Sequence, residues 1–503
     1  MTADTSSLKI GIAGAFGFVG QHLMDFILRH THHRICALSR YARKPEDPRI
    51  ECIVVDLYSL EDSIAALAGC DIGIYLVHSM SPHSRLMQGD FKDFDFLLAD
   101  NFARAAAVQK LRHIIYVGGI IPKEEALSPH LQSRLEVEET LGSHGVPLTA
   151  FRCGLIIGRG GTSFNIILKL VDRLPLMLLP QWLQTQTEPV FVRDLVFAIK
   201  QALEHPTPST GKRIVDLVGT QTMSHRDLIH KIAKFRGKKR ILISIPFLAL
   251  GISKFWIRLI SSAPKELLYP LLGSIHHHML SQKQHQAPIE WGLTYTPIDL
   301  AIKYALVYDD VHIRAVRLHP KTIQLSEVRS IQRISHLHGR SMEAVVRVYA
   351  NWMPLVFLPF LKVEHHGTNF TYLFRPLNLR LIQLEADPCS EYTRYLLRVT
   401  GGLLARSSQQ RGEFEFRCAA NQRFAIILLQ RFKPALPWPI YKFSQAIVHN
   451  TVMHAFVKYL RVHDEKRQNQ TTTKNVLKFR PPKSNSHSAV EDSNFEKVSS
   501  DRS

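Results

Sequence analysis

Residues 8 to 20 read Leu8-Lys9-Ile10-Gly11-Ile12-Ala13-Gly14-Ala15-Phe16-Gly17-Phe18-Val19-Gly20, and the amphipathic run Gln21 to Arg29 follows directly. The opening residues predict a short buried strand, and the run behind the glycines predicts a helix. A tight turn from strand to helix leaves the first backbone N–H groups of the helix unpaired. They carry about half a positive charge, which suits a pyrophosphate. Gly14 is free to take the positive φ of the turn, and Gly17 has no Cβ to hold phosphate oxygens away. Gly20 lets the helix lie close on its strand. The spacing is G-x-x-G-x-x-G, not G-x-G-x-x-G. A glycine trio alone also fits a plain strand-to-helix turn. The dinucleotide reading gains from a second strand, Arg34 to Ser39, at the βαβ distance.

That second strand ends in Ser39-Arg40, with Arg43 and Lys44 just beyond. An acidic residue here would accept from the ribose 2′-hydroxyl of NAD, whereas a guanidinium suits the 2′-phosphate of NADP. NADP is therefore the expected cofactor and NAD the second choice. A solvated basic loop is the competing reading of the same residues.

The chain has 503 residues, 45% of them hydrophobic, and a formal charge of +20. It is long enough for two or three domains with sizeable cores. The excess charge is dispersed and reads as solubility and attraction to anionic surfaces. There is no zinc-finger spacing, RNP signature or sustained basic helix, so nucleic acid is not an expected partner. The cysteines at 36, 52, 70, 153, 389 and 418 form no close pair, which points to reduced thiols, a cytoplasmic setting and no metal. The polar N-terminus carries no secretory run.

Ile241 to Ser253 and Trp352 to Leu361 fall short of the roughly 20 residues that cross a bilayer. The first is preceded by Arg236, Lys238, Lys239 and Arg240 and interrupted by Lys254 and Arg258. Residues 236–261 therefore read either as a peripheral membrane contact on the inner face or as a helix packed on the core.

Strand-like segments at Ile10 to Ala13, Ile35 to Ser39, Glu51 to Val55, Ile72 to Val77, His113 to Val117 and Leu148 to Arg152 alternate with helical patterns. The helical patterns include Leu60 to Ala68, Phe91 to Val108 and Ser133 to His144. Near-continuous apolar strands joined by crossover helices predict a doubly wound parallel α/β sheet of the Rossmann kind.

Several runs carry a family resemblance. They are Gly14-Ala-Phe-Gly-Phe-Val-Gly, Asp56-Leu57, Gly69-Cys-Asp-Ile-Gly-Ile-Tyr-Leu-Val-His-Ser-Met and Thr187-Glu-Pro-Val-Phe-Val-Arg-Asp-Leu-Val. The chain resembles the atypical short-chain dehydrogenases/reductases, in particular the NmrA-like branch and bacterial NAD(P)-binding proteins of the YbjT type. The likeness spans about residues 8 to 300. Gly211-Lys-Arg-Ile-Val-Asp-Leu-Val-Gly, Ser224-His-Arg-Asp-Leu-Ile and Gly237-Lys-Lys-Arg resemble the small subdomain that closes the cofactor site in extended members. The resemblance implies that Gly14, Phe16, Gly17, Phe18, Val19 and Gly20 hold the pyrophosphate and that Arg40 meets the adenosine phosphate. It puts Asp56 and Leu57 beside the adenine and Val77, His78 and Ser79 beside the nicotinamide ribose. Asp56 also reads as a cap for the helix starting near Ser59, and His78 as a partner for a strand-end carbonyl.

Such enzymes usually reduce carbonyls with a Tyr-x-x-x-Lys pair, whose phenol donates the proton and whose lysine holds the ribose. The equivalent stretch here reads His130-Leu-Gln-Ser-Arg134, and the pair is missing. The spacing of four puts His130 and Arg134 on one helical face. A guanidinium beside an imidazole lowers its pKa and weakens it as an acid. Where the family has a substrate-polarising Ser, this chain has Tyr116-Val117-Gly118-Gly119. The candidate catalytic residues are His130 or Tyr116 as proton donor and Arg134 to orient ribose or substrate. Tyr116 equally reads as a core aromatic. Two functions stay open: an oxidoreductase acting on a small hydrophobic molecule, and a non-catalytic NADP(H)-binding sensor or assembly factor.

After Thr296-Pro297 the alternation stops. Strand-like segments follow at Ala344 to Tyr349, Phe370 to Phe374, Leu379 to Leu384, Tyr392 to Val399, Gly412 to Arg417 and Phe424 to Gln430, then a helical pattern from Ile440 to Leu460. An antiparallel sheet with one long C-terminal helix is similar to the START-like (SRPBCC) helix-grip proteins, which implies an α+β domain over 301–465 enclosing an apolar ligand cavity. The competing reading is a filled structural core. From 466 to 503 the polar composition predicts a disordered tail. His276-His277-His278 and His365-His366 read as ordinary histidines, since consecutive side chains on a helix cannot converge on one metal.

Overall fold

The computed structural model describes residues 7–78, 86–123, 126–207, 211–245, 272–307, 315–317, 327–335, 339–405 and 411–478. Strands are numbered along the chain. Seven of them, β1 (Lys9–Ala13), β2 (Arg34–Ser39), β4 (Ile50–Val54), β5 (Ile72–Tyr75), β7 (His113–Gly119), β8 (Leu148–Cys153) and β13 (Lys212–Leu217), form one sheet. The order is β13-β8-β7-β5-β1-β2-β4 and every pairing is parallel. Helices α1 (Phe18–His30) and α6 (Val192–Glu204) cover one face through Leu23, Met24, Ile27, Leu195 and Ile199. Helices α2 (Leu60–Ala66), α3 (Phe91–Val108) and α4 (Pro129–Leu141) cover the other through Ala66, Phe102, Val137 and Leu141. Burial on both faces is why the central strands β1, β5 and β7 are mostly apolar, whereas the edge strands β4 and β13 carry charged, exposed residues. The sheet is a Rossmann-like parallel α/β sheet, and its order reverses between β1 and β5.

A smaller unit hangs beyond β8. It pairs β9 (Ile156–Ile157) with β12 (Val190–Phe191), β10 (Leu176–Pro180) with β15 (Ile241–Ile245), and β11 (Gln186–Thr187) with β14 (Met223–Ser224). Helices α5 (Thr162–Arg173), α7 (His225–Phe235) and α8 (Ile298–Val307) share its core. Ser224 caps α7 in a reciprocal box with Asp227, satisfying two N-terminal donors at once. Of the segment 236–261 read as a membrane contact or packed helix, Arg236 caps the end of α7 and residues 241–245 form β15, with Ile241 and Ile243 exposed. Residues 246–271 lie outside the described residues. No described helix is long and apolar enough to cross a membrane.

The second large unit is a sheet ordered β18-β19-β20-β21-β22-β23-β17-β6. Its strands are β17 (Val328–Ser335), β18 (Leu361–His366), β19 (Asn369–Phe374), β20 (Leu379–Ala386), β21 (Arg394–Gly401), β22 (Glu413–Cys418) and β23 (Phe424–Phe432). All are antiparallel except the last neighbour, β6 (Leu86–Gln88), which lies parallel on β17. The sheet is therefore mixed, and a strand from the first unit completes it. A further ribbon pairs β3 (Arg43–Pro45) with β16 (Ala315–Arg317).

Two expectations are corrected. Ala344 to Tyr349 is not a strand but the interior of α9 (Met342–Val356). The Ser341 side chain caps its start, and buried Met342, Val345, Val346, Tyr349 and Ala350 follow the helical period of 3.6 rather than the strand period of two. The C-terminal helical pattern is split at Ser444 into α10 (Trp438–Phe443) and α11 (Gln445–Lys478). Helix α11 thus runs through part of the expected disordered tail; residues 479–503 lie outside the described residues.

The two large units share an interface. Along β23, Phe424, Ile426 and Leu428 join the core over α3, while Ala425, Ile427 and Leu429 join the core under α9 and α11. Five arginines of the second sheet reach acidic groups of the first unit, four of them on its helices and one, Arg329, on the loop after β4. Arg333 donates to Asp93 at 2.6 Å and to both Glu136 oxygens at 2.8 Å. Arg417 donates to Asp100 at 2.9 Å and to Glu415 at 2.6 Å. Arg431 donates to Asp62 at 3.0 Å, Arg398 to Glu61 at 2.7 Å, and Arg329 pairs with Asp56.

Arg417→Ala leaves Asp100 and Glu415 short of a buried cation, and loss of one partner of a buried pair costs about 3 kcal/mol. The exposed control Arg347→Ala, which breaks only the i,i+4 pair with Glu343, is expected to cost about 0.5 kcal/mol or less. Urea unfolding at neutral pH measures both, and equal losses would contradict the buried-clamp account.

Candidate functional site

The glycine turn sits at the carboxyl edge of the sheet, beside the β1–β5 reversal. Gly14 has φ of +85°, and the Gly17 amide donates to the Gly14 carbonyl at 2.9 Å. A Cβ on Gly20 would lie 2.4 Å from the Gly14 and Ala15 carbonyl oxygens, so only glycine fits where helix meets strand. Gly17 is the N-cap of α1, exposed, with no side-chain cap and no acidic residue in the first turn. The turn therefore presents main-chain N–H groups and helix dipole to solvent with no side-chain anion to answer them.

Basic groups border the turn on the β2 side. The Arg43 guanidinium lies 4.3 Å from the Phe16 ring centroid, against the glycine turn itself. The Arg40 guanidinium lies 5.8 Å from the Tyr41 ring. Past β4, Asp56 accepts from the Tyr58 amide at 3.2 Å, and Arg329 holds both of its carboxylate oxygens. Asp56 is not the cap of α2: the Ser59 hydroxyl fills that role by accepting from the Asp62 amide. The Leu57 carbonyl accepts from the Asn101 side chain at 2.9 Å, which ties this loop to α3.

On the β5 side, Val77 is half-buried and His78 keeps an open face. Ser79 lies outside the described residues. His78, His130, Arg134, Asp95, Tyr75 and Tyr116 lie close enough to feel one another's charge. Packing around His130, then Arg134 and His78, pushes its pKa down to about 3. Packing and then Arg134 push His78 down to about 4. Both imidazoles are neutral at pH 7, able to share a hydrogen bond but weak as acids. The His130 Nδ1 is buried without a hydrogen-bond partner among the described residues.

Two of the candidate catalytic residues have other work. Arg134, 6% exposed, forms a buried ion pair with Asp95, which also accepts from Ser133 at 3.0 Å. Its guanidinium is thereby tied to α3. Tyr116 is 1% exposed, and its hydroxyl donates to the Arg134 carbonyl at 3.3 Å, so it is a core aromatic and not a presented proton donor. Asp95 escaped the reading of the sequence. Its signal was available: Asp93, Asp95 and Asp100 interrupt a helix whose other residues are mostly apolar, and a carboxylate on a buried face demands a cation.

Among the described residues no group of three or more His, Cys, Asp or Glu side chains is placed to hold a metal. The His278 ring accepts from the Gln186 amide at 3.2 Å.

Residues 14–163 match the family model described as NAD(P)H-binding, so this part of the chain is similar to NAD(P)H-binding domains. The auxiliary protein GraX of Staphylococcus aureus is 27% identical over 142 residues, 28% of this chain and 42% of that protein. The match thus spans under half the length of that relative. Among solved structures, a triphenylmethane reductase from Citrobacter sp. is 17% identical with a TM-score of 0.45, covering 59% of this chain and 99% of the other. A nucleoside-diphosphate-sugar epimerase from Staphylococcus aureus is 15% identical with a TM-score of 0.46, covering 59% and 100%.

A histidine whose folded pKa lies below its unfolded value of about 6.5 binds fewer protons folded than unfolded between those two values. His130 therefore contributes nothing to pH dependence above pH 6.5, and costs stability progressively as pH falls from 6.5 toward 3. The imidazole carbon shift of His130 in NMR spectra should stay flat from pH 8 to 5, and His130→Gln should lose less stability than the wild type on acidification. A titration midpoint between 6 and 7 would refute the neutral assignment.

Proposed function

We propose that the chain binds NADP(H) across the β1–β5 reversal and that binding, more than turnover, is its primary activity. The pyrophosphate rests on Gly14, Phe16, Gly17, Phe18, Val19 and Gly20, the 2′-phosphate on Arg40 with Arg43, and the adenosine beside Asp56 and Leu57. Val77 and His78 border the nicotinamide ribose. The observation that carries this reading is the exposed, uncapped N-terminus of α1 with a guanidinium against the same turn. When bound, the cofactor supplies or accepts a hydride at its nicotinamide ring. The side chains around that end are poorly equipped to move the accompanying proton, because Arg134 and Tyr116 are engaged elsewhere and His130 is neutral. This favours a sensor or assembly factor of the atypical short-chain dehydrogenase/reductase type.

A second reading, an NADPH-dependent oxidoreductase acting on a small hydrophobic molecule, is favoured by the buried Nδ1 of His130, which has no hydrogen-bond partner among the described residues, beside His78. A neutral imidazole there can still polarise a carbonyl by hydrogen bonding.

For the second domain we propose a helix-grip fold, supported by six consecutive antiparallel strands and β17 laid against α9 and α11. Its interior holds Tyr349, Trp352, Phe414, Phe416 and Phe456, with Tyr349 and Phe456 centroids 4.9 Å apart and Trp352 and Phe456 5.2 Å apart. A core filled with rings supports a docking role more than carriage of a lipid.

Calorimetric titration with NADPH and NADH tests the proposal. Gly17→Val should abolish saturable binding of both, and Arg40→Ala with Arg43→Ala should weaken NADPH at least tenfold while changing NADH little. Absence of binding by the wild type would overturn the reading. NADPH oxidation over a carbonyl panel separates the two functions: turnover lost in His130→Ala would establish the enzyme, and no turnover by the wild type would favour the sensor.

A further inference from the structure

The two loops bordering the adenosine end of the site are both held by strands from later in the chain, one by the separate strand β16 and the other by β17 of the second sheet. Ligands of an open parallel sheet lie along the carboxyl ends of its strands. With the pyrophosphate at the β1–α1 turn and the order continuing β1-β2-β4, the adenosine half extends over the residues that follow β2 and β4. The chain after β2 forms β3, and β3 pairs antiparallel with β16, Arg43 opposite Arg317 and Pro45 opposite Ala315. The chain after β4 carries Asp56, and Asp56 is gripped by Arg329 of β17.

We propose that Arg329, delivered by the second domain, is a positioning residue for the adenosine end of the dinucleotide site, so that nucleotide binding and docking of the second domain are linked. The inference rests on the reading that the dinucleotide binds with its adenosine over β2 and β4. Arg329 is 3% exposed; Nη1 donates to Asp56 Oδ1 at 3.2 Å, Nη2 to Oδ2, and the guanidinium carbon lies 4.6 Å from the Tyr58 ring centroid. A planar fork on both oxygens fixes the plane of the carboxylate. Asp56 keeps an open edge, its side chain 13% exposed; Oδ1 already accepts from Arg329 and the Tyr58 amide, while Oδ2, with Arg329 alone, retains a lone pair for an N–H or O–H donor such as an adenine amine or a ribose hydroxyl. The guanidinium also cancels the Asp56 charge, which would otherwise oppose an incoming diphosphate.

The same strand carries the linkage onward. Val328, Arg329 and Ser330 pair with Leu86, Met87 and Gln88 of β6, and Arg333 reaches Asp93 on α3 and Glu136 on α4. Whatever orders Asp56 therefore orders the strand on which the two units meet, and by reciprocity whatever orders that strand favours the nucleotide.

The test compares Arg329→Gln with Arg333→Gln in the full chain. Both break an interface ion pair, but only the first touches the adenosine end. Arg329→Gln should weaken NADPH at least tenfold, and 2′-phospho-ADP-ribose, which lacks the nicotinamide end, by the same factor. Arg329→Lys should restore part of the loss, and Arg333→Gln, which reaches the site only through docking of the strand, should weaken NADPH by clearly less than Arg329→Gln. NADPH should slow amide exchange across β17 and residues 86–88 in the wild type and not in Arg329→Gln. Unchanged affinity in Arg329→Gln, or equal losses in both variants, would overturn the inference while leaving the cofactor assignment intact. A wild type that binds no NADPH would overturn both.

Discussion

Charges buried between the two large units must be paired, and the assembly of this chain depends on that constraint. Helix α3 carries Asp93, Asp95 and Asp100 at or below 4% exposure, a placement that no helix tolerates without cations close by. Arg134 of the first unit answers Asp95; Arg333 and Arg417 of the second answer Asp93 and Asp100. Arg104 and His144 already meet Asp100 within the first unit, and Glu415 and Glu413 meet Arg417 and Arg431 within the second, but Arg333 and Arg417 complete the pairing of Asp93 and Asp100 only when the two units meet. Apolar contact alone, such as Phe96 against Phe424 at 4.8 Å, is not selective about register; the paired charges are.

The same pairing shapes the chemistry of the site. Because Asp95 is buried within reach of Arg134, the guanidinium turns to it and places a fixed positive charge beside His130 and His78. That charge, added to the packing, keeps both rings neutral. At the other end, Arg329 neutralises Asp56 next to a turn built for anions. Cationic influence thus lies on both sides of the glycine turn, while both imidazoles stay neutral.

The first unit was legible because each of its signals is local. The strands from Lys9 to Cys153 have apolar runs that only a sheet covered on both faces requires, and the glycines at 14, 17 and 20 are separated by a spacing whose steric reason is visible in the turn itself. In the second unit the local signal misled at Ala344 to Tyr349. A window of six residues rich in valine satisfies strand propensity, and the helical period emerges only when Met342 and Ala350 are counted with it. Strands β17 and β18 were overlooked for a related reason. β17 alternates arginine with isoleucine because one face meets carboxylates of another unit, so its buried face does not look apolar.

Chain order and residue type alone determined the strand-glycine-helix turn, the basic end of β2, the missing Tyr-x-x-x-Lys pair and the shared helical face of His130 and Arg134, because each depends on neighbours within a few residues. Tertiary structure alone decided that Arg134 belongs to Asp95, that Tyr116 is sealed in the core, and that Asp56 is held from a strand 273 residues away. Those outcomes turn on which charges and hydroxyls are desolvated together, and desolvation is a property of the packed molecule that no stretch of sequence carries.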